Sequence, residues 1–304
     1  MESNSRSNVE INALILEYIR EQKRARRWAM LFKFSVLGLV LFLALKAGNP
    51  VGHLGQSPVA LTQKEHTAVI SITGTIMAGE ETNAEVVIES LKKAFKDKKA
   101  QAIILKINSP GGSAVQARQI WDAINYLKKS SPSKKVYAVI EDFGASGAYL
   151  IASAADFIYA DQTSLVGSIG VIMGGFGFVD AMKDWGIERR LYTAGKNKAL
   201  LDPFSPKKPE SEEHIKQMLE EVHAAFISNV KQGRQNKLKL DNPDLFSGLI
   251  WTGLEAKNLG LIDDFGDIYS VSRDIIKAPD LLDYGPNNDW FLKLAKGLNY
   301  MFKN

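Results

Sequence analysis

The spacing of apolar residues changes along the chain, and each change marks an element. From Val9 to Glu21, the residues Ile11, Leu14, Ile15, Tyr18 and Ile19 recur at helical spacing and predict a short amphipathic helix. Trp28–Leu45 is then apolar all round, broken only by Lys33 and Ser35. Residues 48–65 carry glycine, proline and polar residues and read as a linker. Beyond them, β-type apolar runs alternate with runs of helical period. Strands are expected at Ala68–Ile72, Gln101–Ile107, Val136–Ile140, Phe157–Ala160 and Glu188–Tyr192. Helices are expected at Ala84–Lys96, Val115–Lys129, Gly147–Ala155 and near Glu212–Gln232. This alternation predicts an α/β fold with a mainly parallel sheet and surrounding helices. In such folds active groups gather at C-terminal strand ends, where Asn108–Ser113 and Phe143–Gly147 both fall. The tail at 276–304 is amphipathic, with Trp290, Phe291, Leu294, Leu298, Met301 and Phe302 on one side. It suits packing on the body, or a partner or membrane surface.

The run Trp28–Leu45 approaches the roughly 20 apolar residues that span a bilayer. Arg20, Lys23, Arg24, Arg26 and Arg27 precede it, and no lysine or arginine falls between Lys46 and Lys64. That asymmetry places the N-terminus in the cytoplasm and the residues after the span outside it. A cleaved signal peptide competes, but the basic region is long and no clean small-residue cleavage site follows. The expected layout is a basic cytoplasmic tail at 1–27, a single transmembrane helix at 28–47, a linker at 48–65, a body at 66–275 and the tail at 276–304.

Composition narrows the chemistry. The chain has 304 residues and a net charge of only +4, which gives no global nucleic-acid footprint. Cysteine is absent, so disulfides, thiolate nucleophiles and cysteine-bound zinc are excluded. The four histidines, His53, His66, His214 and His223, form no H-x-x-x-H pair, and no metal or cofactor is expected.

The stretch Glu141–Tyr149, E-D-F-G-A-S-G-A-Y, follows the strand Val136–Ile140 and opens a small-residue helix. A serine at such a turn is exposed at a sheet end near helix N–H groups, the setting of a nucleophile elbow, although Ala148 stands where G-x-S-x-G has glycine. Capping the helix is the competing role for Ser146. A serine nucleophile needs a base and an oxyanion hole. No histidine stands near a core strand end; His66, just before the first strand, is the nearest exception. A lysine can serve if burial lowers its pKa, and Lys196 and Lys198 lie in a loop beside small and apolar residues. Pro110-Gly111-Gly112 offers unobstructed backbone N–H groups before a helix, and Gly147 N–H a second donor. As a phosphate loop it lacks the Walker lysine. Gly167, Gly170, Gly174, Gly175 and Gly177 form no dinucleotide fingerprint and suit tight turns.

Five segments in colinear order resemble the signal peptide peptidase A family of membrane-anchored bacterial serine proteases. They are Ile107–Ser113 (I-N-S-P-G-G-S), Asp142–Tyr149, Leu165–Val171 (L-V-G-S-I-G-V), Gly195–Phe204 (G-K-N-K-A-L-L-D-P-F) and Leu245–Asp263. The similarity covers about residues 66–270. It implies a Clp protease/crotonase-like fold and a serine–lysine dyad. By motif, Ser146 matches the nucleophile, and Lys198, separated from Pro203-Phe204 by four residues, matches the general base; Lys196 has the wrong spacing. Ser168 matches the hydroxyl that orients the lysine, and Gly111 or Gly112 with Gly147 matches the oxyanion hole. One catalytic unit is present, as in the short form of the family. The resemblance further implies a homo-oligomer, an octameric ring in which neighbouring copies complete each site. Its substrates would be cleaved signal peptides or similar apolar peptides at the outer face of the inner membrane. The alternative from another class is a non-catalytic membrane scaffold that keeps the ring and binds peptides or proteins. An acyl-CoA-binding crotonase relative explains neither the span nor Lys198.

Overall fold

The computed structural model describes residues 64–285 together with Trp28, Met30, Lys33 and Ser35. Those four positions are helical. The rest of the expected span at 28–47, the tail 1–27, the linker up to residue 63 and residues 286–304 lie outside the described residues. Among the described residues no helix is long and apolar enough to cross a membrane.

The body runs β1 (His66–Thr73), α1 (Ala84–Lys96), β2 (Ala100–Ser109), α2 (Ala114–Ser130), β3 (Lys135–Ala145), α3 (Gly147–Ser153), β4 (Phe157–Ala160) and β5 (Leu165–Gly167). It continues with α4 (Val179–Asp184), α5 (Pro209–Arg234), β6 (Ile250–Thr252), α6 (Gly253–Asn258), β7 (Asp264–Phe265) and β8 (Leu281–Asp283). The helices start where local chemistry favours it. Asn83 accepts from Val86 N–H at 3.1 Å to cap α1, and Ser113 accepts from Gln116 N–H at 3.4 Å to cap α2. Helix α5 opens on Pro209 with Glu210 and Glu212 in its first turn, and ends with Lys231 and Arg234.

The strands form one eight-stranded sheet in the order β6-β5-β3-β2-β1-β8, with β4 and β7 off this path. Every pairing is parallel except β5 with β6. One edge of β3 is shared: Tyr137–Ile140 pairs with β4, and Phe143–Ala145 pairs with β5. The central strands read as continuous apolar runs because both faces are covered. Ile103, Leu105, Ile107, Val136, Ala138 and Ile140 join the main core with residues of α1, α2 and α3. Ile104, Tyr137 and Val139 join a smaller cluster with Val271 on the other face.

Two expectations from sequence change. Glu188–Tyr192 is not a strand; its residues are exposed and have no neighbouring strand to pair with, whatever their β-type composition. The body does not end at 275, because β8 pairs with Thr67–Val69 of β1, so the segment 276–304 gives its first residues to the sheet. Tyr284 N–H donates to Val69 O at 2.8 Å, and Tyr284 is buried beside His66 and Asp97. His66 Nε2 lies 2.9 Å from the Tyr284 hydroxyl, which donates to Asp97 at 2.5 Å. This cluster fastens the last strand to the first.

Helix α5 is fastened at its C-terminal end. The Arg234 side chain is 1 % exposed. It donates to Asp263 at 2.8 Å and to Gly260 O at 2.8 Å, while Asp263 also accepts from Ile158 N–H at 2.7 Å. Burial alone would raise the Asp263 pKa. The hydrogen bonds and charge of Arg234, with Lys237 and Ile158 N–H, outweigh it and hold the carboxyl below its usual value. A lowered carboxyl pKa stabilises the fold above the unfolded-state pKa and loses that contribution as pH falls through the folded-state value. Asp263→Asn should therefore cost about 3–5 kcal/mol at neutral pH, since it leaves a buried guanidinium unpaired. Denaturant titrations should show the difference from the parent shrinking below about pH 4.

Candidate active site

Ser146 sits where β3 turns into α3, with φ 54° and ψ −125°, a conformation that disfavours every residue but glycine. The surroundings force it. Ala145 pairs with Gly167 of β5, Ser146 N–H donates to Gly167 O at 2.8 Å, and Ser146 O accepts from Leu150 N–H at 3.0 Å. All of α3 is buried, and its Tyr149 hydroxyl donates to Leu261 O at 2.7 Å. Burial pushes that phenol pKa well up, so it stays a neutral donor. The Ser146 hydroxyl makes no cap hydrogen bond. Ser113, by contrast, caps its own helix α2, so the two serines beside glycine loops have different employment.

The P-G-G loop is pressed against this elbow. A Cβ on Gly111 (φ 97°) would lie 2.7 Å from Gly147 N and 2.8 Å from Ala145 O, and one on Gly112 would lie 2.2 Å from Ile76 O. Only glycine allows backbone to approach backbone this closely. Gly111 N–H is given to Ser109 Oγ at 3.1 Å. That leaves Gly112 N–H on the loop and Gly147 N–H at the first residue of α3 as the neighbouring donors.

Ser168 follows β5 and is also left-handed, at φ 50°. Its N–H donates to Leu249 O at 2.8 Å, which extends the β5–β6 pairing, and its carbonyl accepts from Gly170 N–H at 2.9 Å. Ser146, Gly112, Gly147 and Ser168 line one cavity of about 1000 Å³ with apolar walls from Val115, Leu150, Val171 and Phe226. Lys198 does not line it. It is exposed in a turn, with its N–H on Gly195 O at 3.2 Å, and Lys196 is exposed nearby. Both belong to an arm between β5 and α5 that is organised about its own contacts. Phe178 stacks on Phe204, Phe178 N–H donates to Pro203 O at 2.7 Å, and Arg189 pairs with Asp202. The arm exposes Ile172 (97 %), Trp185 (83 %) and Tyr192 (91 %).

The histidine considered from sequence is misplaced for catalysis. His66 begins β1, whereas Ser146 follows the end of β3, and the β1, β2 and β3 strands are parallel. The two residues therefore stand at opposite ends of the sheet, and His66 is spent on Tyr284. The histidine that does reach the cavity is His223 of α5, which the sequence reading passed over. Its spacing to Phe226 and Val230 places it on the inward face, a signal available in the sequence. Arg118 and Asn229 also line the cavity and are joined at 2.8 Å. Among the described residues no three acidic, histidine or cysteine side chains converge as metal ligands would.

The backbone at residue 146 makes a measurable demand. Ser146→Gly should be more stable than Ser146→Ala by on the order of 1 kcal/mol, because only glycine relieves the positive φ. Thermal melts of the two variants should show the glycine variant melting a few degrees higher; equal melting would mean that the elbow is unstrained.

Comparison with known proteins agrees with this geometry. The model of peptidase family S49 matches residues 128–280, and that of Clp protease matches residues 61–160. A Brucella melitensis protein named Na(+)/H(+) antiporter NhaA is 54% identical over 183 residues, 60% of this chain and 25% of that protein. A Methanocaldococcus jannaschii protein with a provisional protease name is 30% identical over 215 residues, 69% of this chain and 68% of that one. Protease 4 of Haemophilus influenzae is 33% identical over 221 residues, 71% of this chain and 35% of its own length. The chain thus spans about a quarter of the Brucella relative and about a third of the Haemophilus one. With a family match over half its length, and a relative matched over two thirds of both chains, this protein belongs to peptidase family S49, the signal peptide peptidase A-like group, on a Clp protease-like fold.

Proposed function

We propose that the chain is a membrane-anchored serine endopeptidase that cleaves apolar peptides, remnant signal peptides among them, outside the cytoplasm of a bacterial cell. The observation that carries this reading is Ser146. It is a left-handed serine with no structural use for its hydroxyl, on the same cavity as Gly112, Gly147 and Ser168. Strain of about 1–3 kcal/mol at a non-glycine residue persists where the surroundings over-determine it, and such residues cluster at active sites. In the proposed reaction Ser146 Oγ attacks the peptide carbonyl carbon while its proton passes to Lys198 Nζ. The carbonyl oxygen takes the negative charge and accepts from Gly112 and Gly147 N–H. Collapse breaks the C–N bond, and Lys198 returns the proton to the leaving amine. Water, deprotonated by the same lysine, then hydrolyses the acyl-enzyme. Ser168 Oγ orients the lysine amine. The apolar walls suit apolar substrate side chains.

Lys198 lies off the cavity of its own chain, on an arm that exposes large apolar side chains. This favours a ring of copies in which each arm carries its lysine to a neighbour's serine, and an octamer is the size the family resemblance implies. The membrane setting rests on the basic-then-apolar sequence of residues 20–45.

Ser146→Ala and Lys198→Ala should each abolish peptide hydrolysis with assembly intact. Lys198→Arg should be equally inactive, because a guanidinium stays protonated. Lys196→Ala should keep most of its turnover. Co-assembly of Ser146→Ala chains with Lys198→Ala chains should restore activity, because mixed rings contain sites with both groups. Inactive mixtures would place serine and lysine in one chain, and an active Lys198→Ala would remove the dyad altogether.

The anchor has its own test. Deleting residues 1–47 should leave hydrolysis of soluble peptides while moving the protein from the membrane pellet to the supernatant. Retention in the pellet after alkaline washing would refute the proposed anchor.

A further inference from the structure

His223 has no part in the chemistry above, yet it lines the cavity that holds Ser146 and Ser168. It is half-buried on α5, and its Nε2 lies 3.0 Å from Ile169 O. A carbonyl only accepts, so this nitrogen carries the proton and the bond is Nε2–H donating to Ile169 O. Ile169 is the middle of a three-residue turn closed by Gly170 N–H on Ser168 O at 2.9 Å, and its own side chain is buried. Ser168 enters that turn left-handed, which costs energy and must be imposed from outside. Two elements impose it. From β6, Leu249 O accepts Ser168 N–H at 2.8 Å, and Trp251 packs so closely on Gly167 that a Cβ there would meet it at 2.9 Å. From α5, His223 holds the carbonyl of the turn's middle residue.

We infer that His223 is a positioning residue of the catalytic site: its Nε2–H grips the Ile169 carbonyl and so fixes the Ser168 hydroxyl. The bond also joins α5, which supplies Val222 and Phe226 to the wall, to the turn that carries Ser168. The inference rests on the serine–lysine reading, in which Ser168 orients the base.

The test compares His223→Met, which fills similar space without a donor, with His223→Gln, whose terminal amide reaches about as far as the imidazole Nε2. Each is made alone and on a Ser168→Ala background in the full-length detergent-purified protein. The readouts are the rate of Ser146 phosphonylation by a small fluorophosphonate, in which Oγ bonds phosphorus and fluoride leaves, and kcat and KM for a peptide. His223→Met should slow phosphonylation and lower kcat about tenfold, the loss of one hydrogen bond. KM should hardly move. His223→Gln should recover most of the rate, within about a factor of two to three of the parent. With Ser168→Ala present, His223→Met should cost nothing further, because both changes disable the same hydroxyl. Unchanged phosphonylation in His223→Met, a loss confined to peptide KM, no recovery in His223→Gln, or additive losses in the double variant would each overturn the inference. If His223→Met does not assemble, the comparison of His223→Gln with His223→Asn, whose amide is too short to reach Ile169 O, decides in its place. Fluorophosphonate labelling at a residue other than Ser146 would sink the serine–lysine reading and this inference with it. Normal labelling with indifferent His223 variants would remove this inference alone.

Discussion

The divided edge of β3 is the constraint on which the rest of the site depends. Four residues of that edge belong to β4, and the last three belong to β5. Had β4 continued alongside, the end of β3 would carry an ordinary strand neighbour. Instead β5 arrives late, brings Gly167 O to Ser146 N–H, and ends with Ser168 beside the elbow. The shared edge thereby puts two serines from distant parts of the chain on one cavity. The opposite edge of β3 stays with β2, whose extension delivers the P-G-G loop to the same place.

The two serines stand in strained backbone side by side, at φ 54° and φ 50°. Strain of this size is a noticeable share of a marginal folding free energy. It is offset by a buried core: α3 without an exposed residue, the continuous apolar β1–β3 strands, and Arg234 sunk against Asp263. Rigid packing on one side and an open cavity on the other leave the serine no relaxed alternative. That is preorganisation in its literal sense, with the geometry fixed before any substrate arrives.

How much of this could be read in advance depended on whether a feature was local. Helices α1 and α2 and strands β1 to β4 are marked by their own apolar periods and emerge within a few residues of expectation. The elbow at Ser146 and the glycine loop are also local, a strand followed by small residues. Strands β5, β6 and β8 are three residues each and earn their pairing only from partners distant in sequence, so no period announces them. Glu188–Tyr192 shows the reverse, a β-type composition with no partner to receive it. His66 and His223 divide on the same ground. Proximity to a strand favoured His66, but parallel pairing sends it to the far end of the sheet. His223 is brought to the cavity by the packing of a helix that begins dozens of residues after the elbow.

The placement of Lys198 outside its own cavity carries a consequence for when such an enzyme can act. Under the proposed chemistry a lone chain holds half a catalyst. A newly inserted molecule would be harmless to its neighbours until it met copies of itself, with no inhibitor or pro-segment required. Confinement to a membrane would turn that into a density threshold. Sparse copies would diffuse in the plane as inert monomers, and hydrolysis would switch on steeply once surface concentration permitted closure of a ring. The number of active sites would then grow faster than the number of chains.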